Sequence, residues 1–255
     1  MDLGLQRMAV IVTGAASGIG AAIARMLSAE GVGGLLLTDR DGAGLERTAA
    51  DVARVPTGTL VADLADPTVP GAIAAAAVAR FGRIDGLVNA AGLTTRGSFE
   101  TGTAELWDRL FAVNSRAGFL LMQAAIRDMK ARGAGGSIVN ILSMNAHCGI
   151  PDLAIYSGSK GAMVTLTKNA AHAHMSDGIR VNGINLGWVA TEMEHRVQSE
   201  LLGEGWEATV AAAEPLGRLV TAEECARLAA FLLSDASVPM SGAIIDFEQR
   251  VAGAR

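Results

Sequence analysis

Tyr156 and Lys160 are a pair whose side chains and spacing suit proton transfer. They are four positions apart, which places both side chains on one face of a helix. Tyr156 is the only tyrosine in the chain, and a free tyrosine, with a pKa of about 10, is a poor base at neutral pH. A neighbouring ammonium stabilises the phenolate and lowers that pKa. The spacing therefore indicates a tyrosine acid/base beside a lysine, although such a pair also occurs by chance at a half-exposed helix start.

Two more polar residues are expected beside this pair. Ser143 follows a predicted strand at 137–141, and in a parallel sheet that strand end lies near the start of the next helix. Asn114 is predicted to lie at a kink within a helical stretch. Asn114, Ser143, Tyr156 and Lys160 are therefore the candidate catalytic residues.

A glycine-rich turn at 13–20 follows the first predicted strand and opens the first helix. Three glycines at such a turn allow a tight bend, close approach of a pyrophosphate and close packing of helix on sheet. The helix N-terminus adds free N–H groups and the positive end of its dipole. An ordinary strand–helix turn is the alternative, but an acid at the end of the second strand favours a dinucleotide site. The expected contacts are Gly14, Ser17, Gly18, Ile19 and Gly20.

That acid is Asp39. A carboxylate there accepts hydrogen bonds from ribose hydroxyls and repels a 2′-phosphate, which predicts NAD rather than NADP. Arg40 follows and keeps NADP open, because an arginine could hold a 2′-phosphate; an exposed charge is the other interpretation.

Polar and small residues also end the next two predicted strands. Asp63 and Leu64 end the third, where the carboxylate could recognise adenine or cap a helix. Asn89 ends the fourth, followed by Ala91 and Gly92. Small residues there would let the cofactor ribose approach closely, whereas a plain turn is the alternative.

The elements that must position these residues alternate between strand and helix. Strands are predicted at 8–13, 34–39, 59–63, 86–89, 137–141, 179–186 and 243–246, and helices at 19–30, 45–53, 69–81, 103–111, 115–132, 156–174 and 221–233. Several strands are continuous apolar runs, typical of strands covered on both faces. The pattern predicts an α/β fold, a single domain over 1–255 with a doubly wound parallel sheet of the Rossmann type and helices on both faces. The stretches 142–151 and 188–220 are expected to be irregular and to lie at the ligand-binding edge.

Composition excludes several other classes of protein. The chain has 255 residues, of which 50% are hydrophobic, enough to build a core and to exclude disorder. A net charge of −5 argues against a nucleic-acid partner. Cys148 and Cys225 alone cannot form a disulfide framework, and no cluster has metal-ligand spacing. The apolar runs are too short for a membrane span or a signal peptide, so a cytoplasmic protein without metal, membrane or nucleic acid is expected.

Taken in order, these motifs resemble the short-chain dehydrogenase/reductase family over roughly residues 5 to 247. The resemblance implies that Tyr156 exchanges a proton with the substrate oxygen and that Ser143 hydrogen-bonds the same oxygen. It implies that Lys160 holds the nicotinamide ribose and lowers the tyrosine pKa, and that Asn114 anchors a water relay. It further implies a homotetramer built on the helices at 115–132 and 156–174.

The resemblance extends to a late motif that completes the nicotinamide pocket. Gly187 begins it, Val189 would offer its backbone, and Thr191 would bind the carboxamide. The chain departs from the family at three places: Leu186 stands where proline is usual, Ala90 where a second asparagine is common, and 243–248 reads Ala-Ile-Ile-Asp-Phe-Glu where Asp-Gly-Gly is frequent.

The family's substrate pocket draws on the loops after Ser143 and Gly92 and on the insertion at 188–220. Their polar side chains suit a polyhydroxylated substrate, and 187–193 resembles sugar and polyol members. A locally satisfied His147 and a solvated helix face at 192–196 are the alternatives. The candidate substrate residues are Ser143, Asn145, His147, Tyr156, Trp188 and Glu192.

Three functions are compatible with these observations. The first is an NAD-dependent oxidoreductase that interconverts a secondary alcohol and a ketone on a sugar or polyol. The second is an NADP-dependent 3-oxoacyl-thioester reductase, which Asp39 disfavours. The third is a nucleotide-binding redox sensor without turnover, which would tolerate loss of Ser143, Tyr156 or Lys160; all three are present.

Overall fold

One seven-stranded sheet forms the centre of the protein. The computed structural model describes residues 3–252, apart from the side chain of Met193. Every pairing in the sheet is parallel, and the strand order is β3-β2-β1-β4-β5-β6-β9. These strands are β1 (Ala9–Thr13), β2 (Gly34–Asp39), β3 (Thr57–Val61), β4 (Gly86–Asn89), β5 (Gly136–Ile141), β6 (Ile179–Leu186) and β9 (Ile244–Phe247). The predicted doubly wound parallel sheet is confirmed.

Helices cover both faces of this sheet. They are α1 (Gly18–Ala29), α2 (Gly42–Asp51), α3 (Val69–Phe81), α4 (Ala104–Phe111), α5 (Ala117–Arg132), α6 (Ala154–His174), α7 (Glu192–Leu202), α8 (Trp206–Ala213) and α9 (Ala222–Leu233). Val10 and Val12 of β1 pack in a core with α1, α2 and α9. Ile11, between them, faces a second core with α3, α5 and α6. Burial on both faces explains why the central strand β1 is apolar on successive residues.

The strand order reverses between β1 and β4, which pair side by side. In open parallel sheets the crevice at such a reversal lies outside the carboxyl ends of the strands and receives ligands. β4 pairs in turn with β5, and β5 with β6. The turn after β1, Asn89, Ser143 and Gly187 therefore meet at one edge.

The segment 188–220 is ordered, contrary to the irregular stretch expected from its sequence. It begins with β7 (Val189–Ala190), which pairs in parallel with β8 (Val220–Thr221), and α7 and α8 lie between them. Thr191 caps α7 by accepting a hydrogen bond from the Glu194 amide. Trp206, only 4% exposed, anchors α8. The segment 142–151 matches the expectation better, since only short 3₁₀ turns interrupt it.

Two strand and helix boundaries differ where they affect the site. β3 ends at Val61, so Asp63 lies two residues beyond the strand rather than at its end. Helix α6 begins at Ala154, which places Tyr156 inside its first turn. Within residues 3–252, no helix is long and apolar enough to cross a bilayer. The same residues contain no group of three or more side chains able to hold a metal ion.

Candidate active site

The turn after β1 accepts only glycine at its critical positions. Gly14 has a φ of 66°, and a Cβ there would lie 2.8 Å from the Ala91 backbone. At Gly20 a Cβ would overlap the Gly14 carbonyl. Gly18, with a φ of 53°, approaches the Thr191 methyl group, which a Cβ would meet at 3.4 Å. The turn is therefore a bare backbone cradle in contact with the 188–220 segment.

Side-chain hydrogen bonds hold this cradle against its neighbours. The Thr13 hydroxyl accepts the Ala90 and Ala91 amides, each at 3.0 Å. Ser17 is the N-cap of α1, yet its side chain makes no hydrogen bond to the first-turn amides. Those amides are left without intrahelical partners at the positive end of the helix dipole. The donors present fit the phosphates of a dinucleotide.

Asp39 and Asp63 lie on the adenosine side of the predicted cofactor site. The Asp39 carboxylate accepts the Ala16 amide and the Asp41 amide, both at 3.1 Å, so it is fixed to the glycine turn. Asp63 accepts the Ala65 amide at 2.9 Å and Arg109 at 3.2 Å.

Asp63 is not the N-cap of α3, a position that Thr68 takes. Its pKa is lowered mainly by the Ala65 amide, against a smaller effect of burial, with help from Arg109 and Arg40. Arg40 is exposed. Leu64 beside it is buried.

Ser143, Tyr156 and Lys160 meet at the carboxyl end of β5, each only 6% exposed. The Ser143 hydroxyl is near enough to Tyr156 to oppose the rise of its pKa. Lys160 Nζ lies 5.9 Å from the centroid of the Tyr156 ring and donates to the Ile141 carbonyl at 2.9 Å. The half-exposed helix start considered as an alternative is wrong, because both side chains are buried.

The pKa values of Tyr156 and Lys160 differ from those that the sequence predicted. Burial raises the pKa of Tyr156, the Ser143 hydrogen bond opposes that rise, and the Glu194 charge adds to it. Burial also lowers the pKa of Lys160 to about 8. The expected lowering of the tyrosine pKa is thus absent in the free protein, because desolvation outweighs the nearby amine.

Asn114 lies in a π-helical turn, Ala112–Arg116, between α4 and α5, as its predicted kink position indicated. Its Oδ1 accepts the Leu93 amide at 2.8 Å, and its Nδ2 donates to the Leu93 carbonyl at 2.9 Å. Nδ2 also donates to Ser159 Oγ at 3.0 Å. Asn114 therefore fixes the loop after β4 to helix α6.

A small cavity lies between these residues and Asn89. Its volume of about 10 Å³ is lined by Asn89, Asn114, Ile141 and Lys160 among others, at the lower limit for one water molecule. Asn89 Nδ2 donates to Asn140, whereas its buried Oδ1 has no protein partner in the part of the chain described. A Cβ on Gly92 would lie 3.3 Å from Lys160 Nζ.

The late motif follows β6 directly. Leu186 pairs with Phe247 in the sheet, and the Gly187 amide donates to the Phe247 carbonyl at 3.2 Å. A Cβ on Gly187 would overlap the Glu248 carboxylate. Val189 is buried in β7, and the Thr191 hydroxyl oxygen is engaged in capping α7. Leu186 thus continues the ladder at a position where the family usually has proline.

In the loop after Ser143, Asn145 packs against Ser143, whereas His147 contacts residues of β6 and β9. The Asn145 amide donates to Ser143 Oγ at 3.1 Å, so Asn145 lies against Ser143. His147 Nε2 contacts Asp246 Oδ1 at 2.8 Å and Asn185 Nδ2 at 3.2 Å. Its side chain is 49% exposed.

Trp188 holds the carboxylate of Glu194, which lies near Tyr156. Its Nε1 donates to Glu194 Oε1 at 2.7 Å, and Gln198 Nε2 donates to the same oxygen at 2.8 Å. Trp188 also stacks on Trp206, with ring centroids 5.6 Å apart. Glu194 is close enough to Tyr156 to raise its pKa.

Glu192 is exposed and lies on the other side of α7. There it lines an open pocket of about 730 Å³. The exposure of Glu192 fits the solvated helix face considered as an alternative at 192–196, whereas Glu194 is half-buried.

Sequence reasoning missed the partners Gln198, Trp206, Asn185 and Asp246. Gln198 lies four residues after Glu194, a spacing that allows contact once α7 is recognised as a helix. The Asp246 contact joins positions 99 residues apart, and no local signal could have indicated it.

Comparison with known proteins decides the family. A family model described as Enoyl-(Acyl carrier protein) reductase matches residues 14–248. Galactitol 2-dehydrogenase (L-tagatose-forming) of Cereibacter sphaeroides is 38% identical over 239 residues, covering 92% of this chain and 91% of that protein. The chain belongs to the short-chain dehydrogenase/reductase family.

Two solved family members have the same fold over nearly their whole length. L-Sorbose reductase from Gluconobacter frateurii, complexed with NADPH and L-sorbose, superposes with a TM-score of 0.94 at 28% identity, covering 100% of both chains. NAD+-bound xylitol dehydrogenase gives a TM-score of 0.88 at 28% identity, covering 96% of this chain and 99% of that one. The chain is thus an oxidoreductase of a family with alcohol substrates and nicotinamide cofactors.

Proposed function

We propose that this short-chain dehydrogenase/reductase uses NAD to interconvert a secondary alcohol and a ketone on a sugar or polyol. The observation that carries the reaction is the burial of Ser143, Tyr156 and Lys160 together at the end of β5, with Lys160 Nζ 5.9 Å from the centroid of the Tyr156 ring. A hydroxyl pair of this kind can hold one substrate oxygen from two sides, and the tyrosine can exchange a proton with it.

Bound NAD would accept a hydride at the nicotinamide ring and add a positive charge to the site. The glycine turn and the free amides of α1 would hold its phosphates, through Gly14, Ser17, Gly18, Ile19 and Gly20. Asp39 would bind the ribose hydroxyls, with Arg40 at the rim. Asp63, Leu64, Asn89, Ala91 and Gly92 would flank the adenosine and ribose, and Gly187, Val189 and Thr191 the nicotinamide.

The buried Tyr156 hydroxyl starts protonated, because burial raises its pKa. Deprotonation in alcohol oxidation therefore needs positive charge nearby. Lys160 provides it while its amine is protonated, below a pKa of about 8. The proton would pass along the small cavity between Lys160 and the unpaired Asn89 Oδ1. Asn114 would hold the surrounding loop in place for this relay.

The polar lining supports a polyhydroxylated substrate. Asn145, beside Ser143, and Glu194, held by Trp188, offer fixed hydrogen-bonding groups near Tyr156. His147 and Glu192 would act at the rim. The Glu194 carboxylate opposes an anionic substrate near the tyrosine, which disfavours acyl carriers. Galactitol and L-sorbose appear in the names of related proteins.

The proposal also covers the assembly and location of the protein. The free cysteines Cys148 and Cys225 suit the reducing cytoplasm. Trp107, 49% exposed on α4, stacks on Phe111, and Phe119 on α5 is 42% exposed. These exposed aromatic rings support a homotetramer in which α5 and α6 form subunit contacts. Residues 1–255 would form one domain, with 188–220 as its substrate insertion.

The test is a panel of sugars, polyols and oxoacyl thioesters, each assayed by nicotinamide absorbance with NAD and with NADP. We expect turnover of at least one polyol or ketose with NAD. Efficient reduction of acetoacetyl thioesters with no turnover of any sugar or polyol would replace this proposal with the thioester reductase. NAD binding without turnover of any compound would favour the redox sensor.

A further inference from the structure

The last strand leads into a segment that contacts three of the chain stretches around Tyr156. β9 is the edge strand of the sheet and pairs with β6 up to Leu186 and Phe247. The side chains of residues 246–250, at its end and just beyond, project onto the Ser143 loop, the late motif and the 188–220 insertion. This segment is called the C-terminal clasp below.

The first contact of the clasp is with the Ser143 loop. Asp246 accepts from His147 at 2.8 Å and from Asn185 at 2.9 Å. Burial raises the pKa of the Asp246 carboxyl, but the His147 and Asn185 hydrogen bonds outweigh it and lower the pKa overall. Glu248 fills the space above Gly187, where no side chain could stand.

The second contact joins Gln249 and Arg250 of the clasp to the chain after α8. Gln249 uses both ends of its amide: Oε1 accepts the Leu216 amide at 2.8 Å, and Nε2 donates to the Arg218 carbonyl at 2.6 Å. Arg250 donates to the Ala213 carbonyl at 2.5 Å and pairs with Glu214 at 3.2 Å. These bonds fasten the chain just after α8 to the central sheet.

The other connections of the insertion lie near its two ends. There β7 pairs with β8, Val189 and Val220 are buried in the core, and Arg218 pairs with Glu224 of α9 at 2.7 Å. α7 and α8 contact each other, and Trp188 and Trp206 stack between them. Leu201, Leu202 and Leu216 are more than half exposed. Between α8 and Arg218, the hydrogen bonds to the C-terminal clasp come from Gln249 and Arg250. A stretch with exposed apolar side chains and few buried contacts opens at low cost when such bonds are lost.

We infer that Gln249 is a positioning residue that keeps the substrate insertion closed over Tyr156 through its paired hydrogen bonds to Leu216 and Arg218. The inference rests on the proposed function, in which the insertion carries Trp188 and Glu194. Gln249 acts on substrate binding and not on the chemical step, because Ser143, Tyr156 and Lys160 lie on other elements. If the closed insertion is less populated, apparent substrate affinity falls by that fraction.

The test compares Gln249→Ala and Gln249→Glu with the matched control Val251→Ala. Val251 is 77% exposed in the same segment. Gln249→Ala removes both hydrogen bonds, whereas Gln249→Glu keeps the acceptor for the Leu216 amide. For the best alcohol of the panel we expect Gln249→Ala to raise KM about tenfold, with kcat within about twofold. The KM of Gln249→Glu should lie between those of Gln249→Ala and the unchanged protein. The KM of Val251→Ala should equal that of the unchanged protein.

Hydrogen–deuterium exchange gives a second measurement that needs no substrate. The amides of 206–218 should exchange faster in Gln249→Ala than in Val251→Ala, while those of β4 and β5 keep their protection. Unchanged KM together with unchanged exchange in 206–218 would overturn the inference, as would equal losses of kcat in both Gln249 variants. If the unchanged protein turns over no compound of the panel, the proposed function fails, and the exchange experiment still decides the role of Gln249.

Discussion

The Lys160 ammonium lies 5.9 Å from the centroid of the Tyr156 ring, and both side chains are buried at the carboxyl end of β5. Each environment favours the neutral form, since burial raises the pKa of the tyrosine and lowers that of the lysine. The free protein therefore holds an acid and a weakened cation side by side. Cofactor and substrate must complete the charge balance that makes this pair reactive.

Tyr156→Phe should abolish most turnover while leaving the fold and NAD binding intact. The change removes the hydroxyl that exchanges the proton but almost no volume. General acid/base groups contribute about 10²–10⁴-fold to rate, so kcat should fall within that range. Steady-state kinetics and an NAD titration measure the two effects. Activity near that of the unchanged protein would refute the acid/base assignment.

Lys160→Met should change the pH dependence of stability. The folded-state pKa of Lys160 is lowered to about 8 from 10.5, so the unfolded chain binds the extra proton between these values. Stability from this site is therefore lowest below pH 8 and increases as the pH rises towards 10.5. Relative to Lys160→Met, the unchanged protein should gain about 2 kcal/mol between pH 7 and 9.5.

Urea unfolding of both proteins without cofactor, at several pH values, measures this difference. The comparison does not depend on the stability that methionine itself adds or removes, because that contribution is independent of pH. A difference that stays constant from pH 7 to 9.5 would mean that the lysine is not desolvated as the structure indicates. Lys160→Met should also weaken NAD binding and lower kcat, because the lysine has both roles in the proposal.

Asp39→Ala should reduce the preference for NAD over NADP. The carboxylate accepts the Ala16 and Asp41 amides and would repel a 2′-phosphate beside it. Direct titration with both nucleotides should show tighter NAD binding for the unchanged protein and a ratio about tenfold smaller in the variant. Asp39→Asn, which keeps the volume, is the control for loss of packing. Tighter binding of NADP by the unchanged protein would show that Arg40 decides the cofactor instead.

The sequence predicts the elements of the sheet and the catalytic set because both depend on local patterns. Apolar runs mark several strands of the sheet, and the spacing of Tyr156 and Lys160 needs only a helix. Parallel topology then brings Ser143 to the same edge without any further information. The π-helical turn around Asn114 also lies where the interrupted helix pattern predicted a kink.

The segments that surround the candidate site, the insertion at 188–220 and the His147 loop, could not be predicted in the same way. α7 and α8 pack mainly on each other, so their apolar pattern is weak, and 188–220 resembles a loop in sequence. The contact of His147 with Asp246 joins two chain segments 99 residues apart. Tyr156 shows the same limit: its neighbours could be predicted, but the burial that dominates its pKa could not.

His147→Ala should raise KM or lower kcat/KM for the substrate while NAD affinity stays unchanged. The ring belongs to the Ser143 loop, Nε2 contacts Asp246, and about half of the side chain is exposed. Steady-state kinetics and an NAD titration measure both quantities. Asp246→Ala separates a direct substrate contact from loop positioning, because it removes the partner but keeps the ring. Equal effects of the two variants would show that His147 acts only by positioning the loop, and no effect of either would exclude it from the site.

Glu194→Gln should move the pH profile of alcohol oxidation towards lower pH. The Glu194 charge adds to the rise that burial imposes on the Tyr156 pKa. A neutral amide of the same shape removes that charge, so the phenolate forms at lower pH and the rising limb of kcat/KM shifts with it. Glu223→Gln, an exposed change of equal charge on α9, is the control and should leave the limb in place. A limb that stays fixed in Glu194→Gln, or moves equally in both variants, would show that this carboxylate does not act on the tyrosine.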